Sequence, residues 1–146
     1  MSGRSTSLIL IAALAIAGFG SAKASAPSCT VDHGELPTWA RTGFSDPHPK
    51  IGHVVGDAGR ITAILFAEPL KATAPDDAPQ NKVLWVAKDP QQPLAALKIR
   101  VTQGDETLTR TVENGPGPSI VDLPRGCWKL ELSWSGRTDQ LNLEYR

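Results

Sequence analysis

The sequence predicts an all-β fold: a two-sheet antiparallel sandwich, Ig-like in general architecture, preceded by an irregular N-terminal segment. Three observations predict it. Apolar residues recur with period two, most clearly at Trp128, Leu130, Leu132 and Trp134, and a strand points alternate side chains to opposite faces. Clusters of Gly, Pro, Asn, Asp and Ser divide the chain into short runs at regular intervals, as sandwiches require. No convincing helix follows the first 24 residues, because no run there sustains a 3.6-residue period.

The elements follow in order. Residues 1–24 read as a signal peptide: Arg4 supplies a basic start, 8–19 is an apolar run of about 12 residues, and Ala22, Ala24 and Ala26 give a small-x-small cleavage pattern. That run is short of the ~20 residues a membrane-spanning helix needs, so no transmembrane segment is expected in the mature chain. Residues 25–50 form the irregular segment, broken throughout by Pro, Gly, Asp and Ser and expected to pack on the domain, with Trp39 and Phe44 as its anchors. The sandwich domain spans 51–146. Within it, 51–56 is a short strand, and 60–67 is apolar on both faces like a buried central strand. Residues 71–81 read as a loop and 82–88 as a second apolar strand. After a turn at 89–93, Leu97, Ile99 and Val101 alternate with Lys98, Arg100 and Thr102, so 94–103 is a strand despite its Ala-rich start. Gly104 and Asp105 suit a two-residue hairpin loop, since Gly supplies the positive φ. Strands at 107–112, 119–124, 127–134 and 139–145 complete seven or eight, with turns at 113–118 and 135–138.

The two cysteines, Cys29 and Cys127, are read through the expected export. In an oxidising compartment an even pair is most simply a disulfide. The bridge would close a loop of nearly 100 residues, for which the chain-entropy model gives roughly 4 to 5 kcal/mol. Strand phase agrees: with Trp128, Leu130, Leu132 and Trp134 facing the core, Cys127 lies on the polar face, placed to catch a segment crossing outside the sheet. Cys29 lies outside any expected strand, so the inter-sheet Cys–Trp–Cys arrangement of true Ig domains is absent. Lipidation of Cys29, a reactive thiolate at Cys127 beside Lys129, and two unpaired cysteines stand as alternatives.

Composition narrows the function. The formal net charge is zero and no basic block stands out, which argues against nucleic acid as a partner. No nucleophile elbow, zinc-protease motif or phosphate loop occurs. The carboxylates Asp32, Glu35, Asp46, Asp57, Glu68, Asp76 and Asp77 are scattered, and Asp76 and Asp77 read as turn residues. His33, His48 and His53 fall within about 20 residues, beside Asp32, Glu35 and Asp46. Imidazole with carboxylate suits Zn or Cu(II), although the spacing matches no ligand motif. Trp85, Trp128 and Trp134 have core phases. Trp39 and Phe44 are the aromatics left to mark a partner surface.

The segments "NKVLWVAK", "ENGPGPSIVDLPRGCWKLELSWSGRTDQLNLEYR" and "LPTWARTGF" together resemble a family of small, secreted or lipid-anchored bacterial proteins of unknown function. Gly-Pro-Gly-Pro-Ser and Gly-Cys-Trp are the most specific parts. The resemblance implies a bacterial, exported β-domain and supplies no activity, ligand or catalytic residue. This chain departs from the lipobox of the lipid-anchored members.

The expectation is therefore an exported, periplasmic or extracellular β-sandwich without enzymatic activity or cofactor. It would bind a protein or a cell-envelope component. A metal-binding protein using His33, His48 and His53, and a hydrolase with unrecognised carboxylates, are the alternatives.

Overall fold

The computed structural model describes Gly20, 27–89 and 95–146. The expected signal peptide, apart from Gly20, and most of the 89–93 turn lie outside the described residues.

The described residues form eight strands: β1 (His53–Val55), β2 (Ile61–Leu65), β3 (Lys82–Ala87), β4 (Leu97–Gln103), β5 (Glu106–Val112), β6 (Pro118–Ile120), β7 (Gly126–Trp134) and β8 (Arg137–Tyr145). They form two four-stranded antiparallel sheets, ordered β1-β2-β3-β6 and β5-β4-β7-β8. The chain is a two-sheet β-sandwich. Pro118, the last residue of the expected 113–118 turn, opens β6, where a missing N–H is tolerated at the first residue of a strand.

The core follows from alternation. Ile61, Ala63 and Leu65 of β2 and Val83 and Trp85 of β3 face Leu97, Ile99 and Val101 of β4, Trp128, Leu130, Leu132 and Trp134 of β7, and Leu141, Leu143 and Tyr145 of β8. Loop residues Leu70, Val121 and Leu123 join them. Three buried polar ends find partners: Trp128 Nε1 donates to Pro124 O at 2.8 Å, Trp85 Nε1 to Ser119 Oγ at 3.1 Å and Tyr145 Oη to Val121 O at 2.7 Å; the buried Trp134 Nε1 finds none among the described residues. Burial pushes the Tyr145 phenol pKa far up, with the Asp122 charge adding to the effect.

Two hairpins set the register of the second sheet. Gln103 pairs with Glu106 across Gly104, which takes φ 55° as expected. Trp134 pairs with Arg137 across Ser135 and Gly136, at φ 43° and 71°, the two positive angles of a type I′ turn.

The N-terminal segment is tied down at both ends. Cys29 and Cys127 are disulfide-bonded, with Cα atoms 5.9 Å apart. Cys127 sits on the polar face of β7, as strand phase predicts, and Asn142 Nδ2 of β8 donates to Ser28 O at 3.0 Å. Further on, Asp32 and His53 exchange two backbone hydrogen bonds of 2.9 Å, so the segment extends the β1 edge. Residues 35–50 then fold around Arg41. Its guanidinium donates to Leu36 O, Pro47 O and Glu35 Oε2 at 2.8, 3.1 and 3.0 Å, next to a single 3-10 turn at Thr38–Ala40.

The outer side of the first sheet is partly closed. Thr62 and Ile64 alternate with the core residues of β2 and so point away from the sandwich, yet both are fully buried. Leu36 and Ala40 of the N-terminal segment are likewise fully buried and stand outside the sandwich core.

Candidate functional site: the polar outer face of the second sheet

The outer face of the second sheet is different in kind. Register places Thr107, Thr109 and Thr111 of β5, Lys98, Arg100 and Thr102 of β4, Lys129, Glu131 and Ser133 of β7, and Thr138, Gln140 and Asn142 of β8 on it. Every one is polar. Around Lys98, Arg100, Glu131 and Gln140 the face forms an open groove with a cavity volume of about 850 Å3. The disulfide-anchored segment lies toward the Cys127 and Asn142 end of this face.

The β1–β2 turn walls the groove, and Asp139 fixes that wall. Its buried carboxylate accepts from Ala58 N at 2.8 Å, Arg60 N at 2.9 Å and Gln140 N at 2.8 Å. Asp57 N donates to Gln140 O, and Gln140 Nε2 to Asp57 Oδ2, each at 2.8 Å. Gly56 is required beside this clamp, because a Cβ there would sit 2.2 Å from Asp139 Oδ2.

Charge in the groove is unevenly committed. Asp139 is spent on backbone N–H groups and Asp57 on Gln140. Glu131 is bound by Arg100 at 2.6 Å and approached by Lys129 at 3.5 Å. The Arg100 hydrogen bond, first, and the Lys129 charge hold the Glu131 carboxyl below the usual range against an opposing effect of desolvation. Among the described residues, Lys98 and Arg60 make no ion pair with a carboxylate; Arg60 Nη1 donates only to Thr138 O at 3.3 Å. The groove therefore offers two uncommitted cations beside hydroxyl and amide groups. This suits a ligand that carries negative charge and many hydroxyls.

The residues singled out from sequence lie elsewhere. His33 Nε2 is 2.5 Å from Glu68 Oε1. His48 Nδ1 is 3.1 Å from Glu35 Oε2. His53 is buried, with Nδ1 2.8 Å from Ile51 O and Nε2 3.9 Å from Asp32 Oδ2. The three rings thus meet three different carboxylates, and among the described residues no group of three His, Cys, Asp or Glu could hold a metal ion. The His48 hydrogen bond, first, and the charges of His48, Arg41 and Lys50 lower the Glu35 pKa, with burial opposing. Glu35 and Glu131 are thus both lowered, opposite to what a general acid needs. Trp39 and Phe44 are half-buried on the N-terminal segment. The large apolar side chains most exposed are instead Phe66, with Lys82 Nζ 5.1 Å from its ring centroid, and Ile120, each 48% exposed.

Sequence reasoning missed the groove because its residues come from four strands whose order it did not assign. The alternation of Lys98, Arg100 and Thr102 with the core residues of β4 was the available signal. Among the described residues no helix is long and apolar enough to cross a membrane. Compared with protein-family models, curated proteins and solved structures, the chain finds no match in any of the three.

Proposed function

We propose that this chain is an exported, non-catalytic binding domain that holds a hydroxyl-rich, anionic glycan of the cell envelope in the groove on its second sheet. One observation carries the reading: Lys98 and Arg60 stand without carboxylate partners among the described residues, beside the hydroxyls of Thr109, Thr111, Ser133 and Thr138. Cations bind the acidic groups of such a polymer, and hydroxyls and the Gln140 amide exchange hydrogen bonds with its sugars. An open groove suits a chain that enters and leaves at its ends. Export is supported by the N-terminal leader pattern and by the disulfide, which forms in oxidising compartments. The likeness to small exported bacterial proteins belongs to the same proposal. The metal-binding alternative gains no support from histidines that engage three separate carboxylates.

Calorimetric titration with polygalacturonate, and with neutral dextran as control, tests the reading. Binding to the acidic polymer alone is expected, weakening as salt screens the charges, with Lys98→Glu reducing affinity by about tenfold or more. Equal binding to dextran, no binding to either polymer, or an unchanged affinity in Lys98→Glu overturns it.

A further inference from the structure

We propose that two copies of this chain associate edge to edge through β5, antiparallel, about a twofold axis at Leu108. The inference is independent of the glycan reading. It begins from the sheet edges. The β1 edge is extended by Asp32. The β8 edge is covered near its start by Asp57 N, which donates to Gln140 O. At its end, Arg146 N donates to Leu70 O and Ala72 N to Arg146 O. β6 has only three residues. β5 has seven, and among the described residues it makes no backbone hydrogen bond beyond its pairing with β4. A long open edge is a template for another strand.

The hairpin fixes which groups point outward. Gln103 and Glu106 close a two-residue loop and form a hydrogen-bonded pair, so the pattern alternates along the strand. Glu106, Leu108, Arg110 and Val112 turn their N–H and C=O groups toward β4, whereas Thr107, Thr109 and Thr111 turn theirs outward. The partner found for these outward groups is a side chain: Arg110 Nη1 donates to Thr109 O at 2.8 Å.

Only one register satisfies both backbone and charge. With Leu108 opposite Leu108 of the second copy, Thr107 faces Thr109 and Thr109 faces Thr107. The outward groups of Thr107 and Thr109 then meet as two hydrogen-bonded pairs, and Thr111 lies beyond them opposite the hairpin loop. The same register sets Glu106 opposite Arg110 and Arg110 opposite Glu106, two favourable cross-strand pairs. Moving the axis to Thr107 or Thr109 keeps the hydrogen-bonding phase but sets Glu106 opposite Leu108 or Val112 and removes both charge pairs. A groove of about 520 Å3 runs beside the edge, lined in part by Leu108, Ile120, Pro75, Pro79 and Pro124. It gives Leu108 of the added strand a place to pack. The product is a continuous eight-stranded sheet with both polar outer faces on one side.

Sedimentation velocity of the purified protein over a concentration series tests the proposal. A reversible dimer is expected. Arg110→Glu, which sets like charges opposite, weakens it about tenfold or more, and adding Glu106→Arg to that variant restores it. Arg110 also donates to Asp122 O at 3.0 Å, so a second variant guards against misfolding. Thr109→Pro removes an outward N–H that β4 does not use, and should give a folded monomer by circular dichroism. A monomer at every concentration overturns the proposal. So does a dimer that survives Thr109→Pro, or one unaffected by Arg110→Glu.

Discussion

The outer faces of the two sheets follow opposite rules within one sandwich. On the first sheet, Thr62 and Ile64 point away from the core and are nonetheless fully buried, in company with Leu36 and Ala40 of the N-terminal segment. On the second, Lys98, Arg100, Thr109 and Thr111 are exposed, and the surface is polar throughout. The N-terminal segment runs differently past the two. It joins the first sheet at the β1 edge, and it reaches the second only at one end, where Cys29 is bonded to Cys127. One outer face is buried in part, and the other is open.

The largest expected effect comes from cutting the tie between the two. Cys127→Ser releases a link between residues 98 apart and should destabilise the protein by about 4 kcal/mol, judged by loop entropy. Urea denaturation of oxidised parent and variant measures it, and equal midpoints would show that the segment is held without the bridge. Next comes a direct comparison of faces. Ile64→Ala should cost about 2–4 kcal/mol, the range of a core truncation, although Ile64 is on an outer face. Lys98→Ala, at an equivalent position on the other sheet, should stay within about 0.5 kcal/mol. Similar losses for both would erase the distinction.

The smallest effect is one of pH. Glu35 on the covering segment and Glu131 on the open face both have pKa values held below the ordinary 4.5. A carboxyl depressed on folding stabilises the folded state above its unfolded pKa, and that contribution is lost as pH falls through the folded value. Glu35→Gln and Glu131→Gln should therefore each flatten the loss of stability between about pH 6 and about pH 3. Denaturation midpoints at the two ends of that range report it. A slope identical to that of the parent would mean that the His48 and Arg100 contacts carry no net stabilisation.

The comparison also marks what the sequence made legible. The second sheet could be read strand by strand, because one face is wet and the other dry, so period two survives in β4, β7 and β8. The outward position of Cys127 came from the same phase argument and led to its bond with Cys29. The first sheet was legible only as runs apolar on both sides, at 60–67 and 82–88. That pattern announces a covering layer, and the irregular segment is the expected wrapping, but with no period it gives no register. Leu36 and Ala40 are buried within that segment, which is held by the hydrogen bonds of Arg41 to Leu36 O and Pro47 O. The groove was hidden for a related reason. Lys98, Thr109, Glu131 and Gln140 become neighbours through sheet order and register, which composition does not encode. The histidines misled because closeness in sequence, without a regular element beneath them, says little about closeness in space.

The Asp139 clamp has a mechanical consequence. Its two hydrogen bonds from Ala58 N and Arg60 N bind the β1–β2 turn of one sheet to β8 of the other and stitch the sandwich along that side. The opposite side, between β5 and the residues around β6, is crossed by the flexible Arg110 side chain reaching Asp122 O. The molecule is thus bound like a book, with a stiff spine beside its groove and a fore-edge expected to part first. Thermal opening would bare the half-buried Leu108 before it disturbed the floor where Lys98 lies.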